Sequence, residues 1–156
     1  MLIRKIKQED NEQVEQLIRT CLIEFGDNKP GCAWEDDLSH FYELYQHEQS
    51  QYMVVEDNGK IVAGCGIGPM MGFHDICELQ KMYTYKEVRG TGIAQGLLDS
   101  SLDFAKKYYS KCYLDTFKHM IAANRFYIKN GFILLEEPLI KGSHYACDKW
   151  YIKKLK

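Results

Sequence analysis

The stretch from Ile76 to Thr116 constrains the fold most, because few arrangements satisfy it. ICELQKMYTY (Ile76 to Tyr85) has the make-up of a strand, and VRGTG (Val88 to Gly92) turns the chain. Ile93, Leu97, Leu98, Leu102, Ala105 and Tyr109 then repeat at the helical period, ahead of a short apolar strand at Lys111 to Thr116. Strand, glycine turn, helix and strand make a βαβ unit, whose right-handed crossover sets the two strands parallel and puts the turn at the carboxyl end of the first. Ligands collect at that edge. Gly90 and Gly92 flank Thr91 just ahead of the helix. Backbone N–H groups and the positive end of the helix dipole therefore face one way, a setting that suits phosphate, and Arg89 adds a fixed charge at the rim. Taken alone, the two glycines could equally serve only to turn the chain.

Period-two alternation puts Ile76, Glu78, Gln80, Met82 and Thr84 on one face of the first strand and Cys77, Leu79, Lys81 and Tyr83 on the other. Upstream, Leu2 to Lys7 reads as a strand. Asp10 with Gln13 gives a capping-box start to a helix whose buried face is Val14, Leu17, Ile18, Cys21 and Leu22. After GDNKPG, the spacing of Trp34, Leu38, Phe41, Tyr42 and Tyr45 predicts a second helix. Gln51 to Glu56 and Lys60 to Ile67, joined by Asp57-Asn58-Gly59, form a hairpin. A loop rich in Gly, Pro and Met spans Gly68 to Asp75. Downstream, a helix from about Met120 to Asn130 ends at Gly131, and Phe132 to Leu135 and Tyr145 to Leu155 complete the sheet.

At 156 residues the chain fits a single domain, residues 1–156. No apolar run approaches the ~18 residues of a membrane helix, and MLIRKIKQED has no signal-peptide core, so a cytoplasmic location with no membrane partner is expected. Six scattered cysteines without a Cys-x-x-Cys pair read as buried free thiols, and His144 with Cys147 is too small a set for a metal site. The net charge of −2 and the dispersed basic residues argue against nucleic acid as a partner.

The order of elements and three local motifs resemble the GNAT superfamily of acyl-CoA-dependent N-acetyltransferases. The first is Arg89-Gly90-Thr91-Gly92-Ile93-Ala94, similar to the Arg/Gln-x-x-Gly-x-Gly/Ala turn whose backbone amides hold the coenzyme A pyrophosphate. The second is FYIKNGF (Phe126 to Phe132), in which Tyr127 corresponds to the tyrosine near the cofactor sulfur. The third is ELQKMYT (Glu78 to Thr84), similar to the strand that pairs with the pantetheine arm, with Glu78 at the place of a general-base glutamate. The resemblance implies an α/β (α+β) fold: a mixed, mostly antiparallel sheet of six to seven strands, a central splayed parallel pair and about four flanking helices. It also implies acetyl-CoA as acyl-donor cosubstrate with no metal, and a small-molecule or peptide amine as acceptor. A homodimer stays open.

By that resemblance Met82, Tyr83 and Thr84 lie along the cofactor, and the oxyanion would meet a backbone N–H near them. The asparagine common seven residues before the tyrosine is here Met120. Asn124, on the same helical face as Tyr127, either substitutes for it or is a polar residue on an exposed side. Glu78 is the candidate base, or else it orients the substrate or bonds locally. A phenol of pKa ~10 can protonate a thiolate of ~8.5, so Tyr127 is the candidate acid, or else a packed aromatic. Transfer within a ternary complex fits better than a cysteine nucleophile, because Cys77, Cys112 and Cys147 read as packed thiols. His144 is a weaker candidate for acceptor contact. Glu24, Asp27, Asp36 and Asp37 cluster in sequence where the acceptor pocket would form, and could draw in a cationic amine. An acyl-CoA-binding module without turnover is the alternative reading.

Overall fold

A computed structural model describes residues 1–142 and 144–156. Its strands are β1 (Leu2–Lys5), β2 (Gln51–Asp57), β3 (Lys60–Pro69), β4 (Ile76–Thr84), β5 (Lys111–Thr116), β6 (Ile133–Leu135) and β7 (Lys149–Lys154), and its helices α1 (Asn11–Glu24), α2 (Phe41–Leu44), α3 (Ile93–Ala105) and α4 (Ile121–Lys129). The strands form one sheet in the order β1-β2-β3-β4-β5-β7-β6. All neighbours run antiparallel except β4 and β5, the pair joined through α3. Among the described residues no helix is long and apolar enough to cross a membrane.

Two apolar layers hold the sheet. Leu97, Leu98, Leu102 and Ala105 of α3 pack on Cys65, Cys77, Leu79 and Cys112. On the other side Val14, Leu17, Ile18 and Cys21 of α1 pack with Phe41, Tyr45, Tyr52 and Val54. Each fully buried aliphatic side chain contributes about 1.5–3 kcal/mol. Five of the six cysteines are buried and all are free, as their place in apolar runs suggested.

Three local expectations are corrected. The capping box at Asp10 and Gln13 does not form. The Asp10 carboxylate takes the Lys7 N–H at 2.7 Å and the Arg4 guanidinium at 2.7 and 3.0 Å, while Gln13 Oε1 accepts from the Ile61 N–H at 2.9 Å. Long-range partners outcompete the cap. The second helix reduces to a short turn at Ala33–Glu35 and the single turn of α2. There the apolar spacing reflects a loop clamped onto α1 and the sheet by Leu38, Phe41 and Tyr45, all buried.

The third correction bears on the site. Gly64 pairs with Tyr83 and Gly66 with Gln80, so Lys81 and Met82 together face Cys65, and Lys81 has φ of 50°. This is a β-bulge, which reverses the facing of later side chains. Met82 joins the α3 layer and Tyr83 the α1 layer. Glu78 and Gln80 therefore share their face with Tyr83 rather than with Met82.

Candidate active site

β4 and β5 pair only from Ile76 with Lys111 to Glu78 with Tyr113, although β4 runs on to Thr84 and β5 to Thr116. Past Glu78 the two strands part, and two cavities occupy the opening. One is a groove of about 380 Å³ that reaches from the glycine turn to α4. The other, about 110 Å³, lies among β4, β5, the segment after α1 and the β6–β7 connection. They share Met82, Tyr83, Met120, Ala123 and Tyr127 as lining residues.

The groove ends on the turn. Gly90 and Gly92 have φ of 79° and 86°, left-handed values that disfavour any side chain, although an added Cβ would meet nothing within 4 Å. Glycine is required there for backbone shape, not for space. Among the described residues the N–H groups of Gly90, Thr91, Gly92, Ile93, Ala94 and Gln95 donate to no protein acceptor; the first bond of the α3 start runs from the Gly96 N–H to Gly92 O. Six free donors at the positive end of a 13-residue helix make an anion cradle. The Thr91 hydroxyl turns back to Val88 O at 2.6 Å and Ile93 packs in the core, so both offer only backbone.

Arg89 departs from expectation. Its guanidinium grips Glu24 at 2.7 and 2.9 Å, donates to Thr84 O at 2.8 Å and lies over the Phe25 ring. It borders the groove but fastens α1 to the end of β4 instead of standing as a free charge at the rim. Asn124 departs as well. Its amide donates to Phe117 O and Met120 O at 2.9 and 2.7 Å and accepts from the Tyr151 hydroxyl at 2.5 Å. It braces the start of α4 and lines neither cavity.

Tyr127 stands where the cavities meet. Its ring packs against Phe132 and Tyr151, which fixes it. Among the described residues no hydrogen bond of its hydroxyl is found, and burial pushes its pKa above the usual phenol value. In the smaller cavity the Tyr45 hydroxyl donates to Gln80 Oε1 at 2.6 Å, and Gln80 Nε2 donates to Glu78 Oε1 at 2.7 Å. The Glu78 carboxyl is thus held by one oxygen. Burial raises its pKa and nearby Asp115 adds to the rise, against the Gln80 hydrogen bond. A held, part-buried carboxyl of raised pKa suits a group that must take up a proton near neutrality. Cys147 also lines this cavity, but burial raises its thiol pKa, which disfavours a thiolate.

The sequence cluster of acidic residues splits apart. Glu24 is bound to Arg89, and Asp37 is exposed and bonds Ser39. Asp27 lines the cavity, and Asp36 lies behind it, holding Lys81 Nζ at 2.8 Å and His144 Nε2 at 2.6 Å. Gln80, Tyr45, Lys81 and Asp115 were not singled out from sequence. The position of Asp115 near the carboxyl end of a parallel strand was the one available signal for it.

His144 has Asp115 Oδ1 at 3.8 Å from Nδ1 and Asp36 on Nε2, and the two carboxylates raise its pKa from 6.5 to about 9. Burial works against ionisation of Asp36, but His144 and Lys81 bring its pKa from 3.8 down to about 2. The signs follow from linkage. The His144 contribution to stability is complete below pH 6.5 and is lost as pH rises to about 9; the Asp36 contribution is present above pH 3.8 and is lost towards pH 2. Urea unfolding should therefore show stability declining between pH 6.5 and 9, by about 3 kcal/mol, and His144→Gln should flatten that decline. An equal decline in the variant would assign it to other groups.

The sequence profile of the Acetyltransferase (GNAT) family matches residues 11–132. The chain belongs to the GNAT acetyltransferase family. It is 31% identical to YjgM, an uncharacterized N-acetyltransferase of Escherichia coli (strain K12), over 99% of this chain and 95% of the relative. A GNAT-family acetyltransferase of Staphylococcus aureus Mu50 superposes with a TM-score of 0.86 at 22% identity, covering 99% of each chain. The PaiA N-acetyltransferase of Thermoplasma acidophilum, solved in complex with coenzyme A, superposes with a TM-score of 0.76 at 18% identity over 98% of each. The mostly antiparallel sheet with one splayed parallel pair and four helices is the GNAT fold that the motifs implied.

Proposed function

We propose that this GNAT chain moves an acetyl group from acetyl-CoA to a primary amine of a small molecule or peptide. One observation carries the reading: two cavities share Tyr127 as a lining residue, one ending on the free N–H groups of Gly90–Gln95 and the other on the held carboxyl of Glu78. The coenzyme A complex of a similarly folded acetyltransferase supports it.

The turn fits a pyrophosphate, since its donors have no protein acceptor, and Met82, Tyr83 and Thr84 line the path from there to Tyr127. Acetyl-CoA would supply the activated thioester. Glu78, directly or through water, takes the proton that the attacking amine must lose, because a free alkylammonium is not nucleophilic at neutral pH. A backbone N–H of the unpaired length of β4 faces the oxyanion. As the C–N bond forms and the C–S bond breaks, the Tyr127 hydroxyl gives its proton to the departing sulfur.

Calorimetry with acetyl-CoA should show saturable binding, and thiol release should accelerate when an accepted amine is added. Absence of binding heat and of thermal stabilisation would end the assignment. Binding without thiol release across a broad amine panel would leave the non-catalytic binding module as the function.

A further inference from the structure

The Gln80 amide can face Glu78 in two ways, and the fold selects one. With Oε1 accepting from the Tyr45 hydroxyl at 2.6 Å, Nε2 is turned to donate to Glu78 Oε1 at 2.7 Å. A half-turn of the amide would exchange its oxygen and nitrogen. The oxygen would then meet the carboxyl, and only a protonated Glu78 could bond it, because an ionised carboxylate has no hydrogen to give. A donor facing the carboxyl favours the charged form, and an acceptor facing it favours the neutral acid. The orientation of one amide therefore decides which form of the base is favoured.

Tyr45 fixes that orientation. Burial keeps its phenol protonated, so it remains a donor. Among the described residues the Gln80 oxygen is the one acceptor found for this hydroxyl, and turning the amide would set the phenolic hydrogen against an N–H. The ring cannot follow, since it packs against Phe41 and Tyr52 at centroid distances of 5.7 and 5.3 Å. Tyr45 does not line the cavity that holds Glu78, so it works from behind the wall.

The other groups around Glu78 leave the amide alone. Asp115 of β5 disfavours the carboxylate, while Lys81 of β4 and His144 of the β6–β7 connection favour it. Burial keeps Tyr113 neutral, and contact with Cys77 together with burial does the same for Cys112. Among the described residues no hydrogen bond joins any of these to the Gln80 side chain.

Resting on the acetyltransferase reading, we propose that Tyr45 is a positioning residue for the transfer: acting through Gln80, its hydroxyl holds Glu78 in the ionised form that can take the proton of the amine. No bond to Tyr45 is made or broken in the reaction.

The test follows the Glu78 carboxyl by NMR of its isotope-labelled carbon, assigned by loss of the signal in Glu78→Gln. Wild type is compared with Tyr45→Phe, Gln80→Met and the double variant. Tyr45→Phe keeps the ring and frees the amide to turn, so Glu78 should titrate about one pH unit higher, the scale of one hydrogen bond exchanged between the two forms. Gln80→Met removes the donor and should shift the titration the same way, and Tyr45→Phe should add nothing in that background. Tyr52→Phe removes the neighbouring hydroxyl, which bonds Lys81 O, and should leave the Glu78 titration in place. In thiol release with an accepted amine, kcat/KM of Tyr45→Phe should fall about tenfold at acid pH and recover towards wild type as pH rises. A role in packing alone would lower it equally at every pH. An unshifted titration in Tyr45→Phe overturns the proposal, as does a further shift in the double variant. If Tyr45→Phe fails to fold, an unshifted titration in Gln80→Met overturns it. Should no amine release thiol, the acetyltransferase reading fails on its own, and the carboxyl titration still decides for or against Tyr45.

Discussion

A Tyr127→Phe variant should lose kcat by about 10²–10⁴-fold, the usual range for a general acid, with little change in the binding of acetyl-CoA. The structure makes this a clean substitution. The ring is held by Phe132 and Tyr151, and no hydrogen bond of the hydroxyl is found among the described residues, so its removal leaves the packing intact and an unchanged Tm is the control. A loss confined to kcat marks an interaction made in the transition state, whereas a raised KM at constant kcat would mark ground-state binding. Stopped-flow or steady-state thiol release separates the two. Kinetics equal to wild type would take Tyr127 out of the mechanism and leave it as a wall between the cavities.

Glu78→Gln should lower kcat/KM by about 10²-fold or more and remove the acid limb of its pH profile. Below its own pKa Glu78 carries a proton and cannot take another, so wild-type activity falls on the acid side. Burial raises that pKa above 4.5, so the fall begins above the ordinary carboxylate range. Glutamine keeps the shape and can still meet the Gln80 side chain, so the loss reports the proton. An acid limb that persists in Glu78→Gln would belong to another group, and Asp115 is the neighbour to examine next.

Local signals carried most of the fold. Asn58-Gly59 between two apolar runs gave the β2–β3 hairpin, and the run from Ile76 to Thr116 gave the parallel pair, because turn chemistry and helical period act within a few residues. What stayed hidden depends on distant partners. Arg89 reads as a free charge until Glu24, 65 positions earlier, is folded against it. Asn124 reads as a ligand contact or an exposed polar residue until the Tyr151 hydroxyl arrives from β7. The bulge had no signature, since a lysine with φ of 50° looks like any strand lysine; the Tyr52 hydroxyl on Lys81 O at 2.8 Å and the Asp36 ion pair hold it. Of the candidate site, Glu78, Tyr127 and the glycine turn were singled out from the motifs, while the Tyr45–Gln80 relay was not. Hydrogen-bond satisfaction is a property of the assembled chain.

The bare backbone of β3 beneath Gln80 sets how this enzyme can be altered. A Cβ at Gly66 would come within 2.7 Å of the Tyr45 hydroxyl oxygen, and one at Gly68 within 2.8 Å of Gln80 Oε1, the two groups that hold Glu78. Any larger residue there would push on the relay and shift the Glu78 carboxyl from beneath the cavity. A library that seeks new acceptors should hold those two glycines constant and spend its diversity at lining residues outside the relay, such as Ala33 and Met120, which leave the Glu78 carboxyl and its charged neighbours in place.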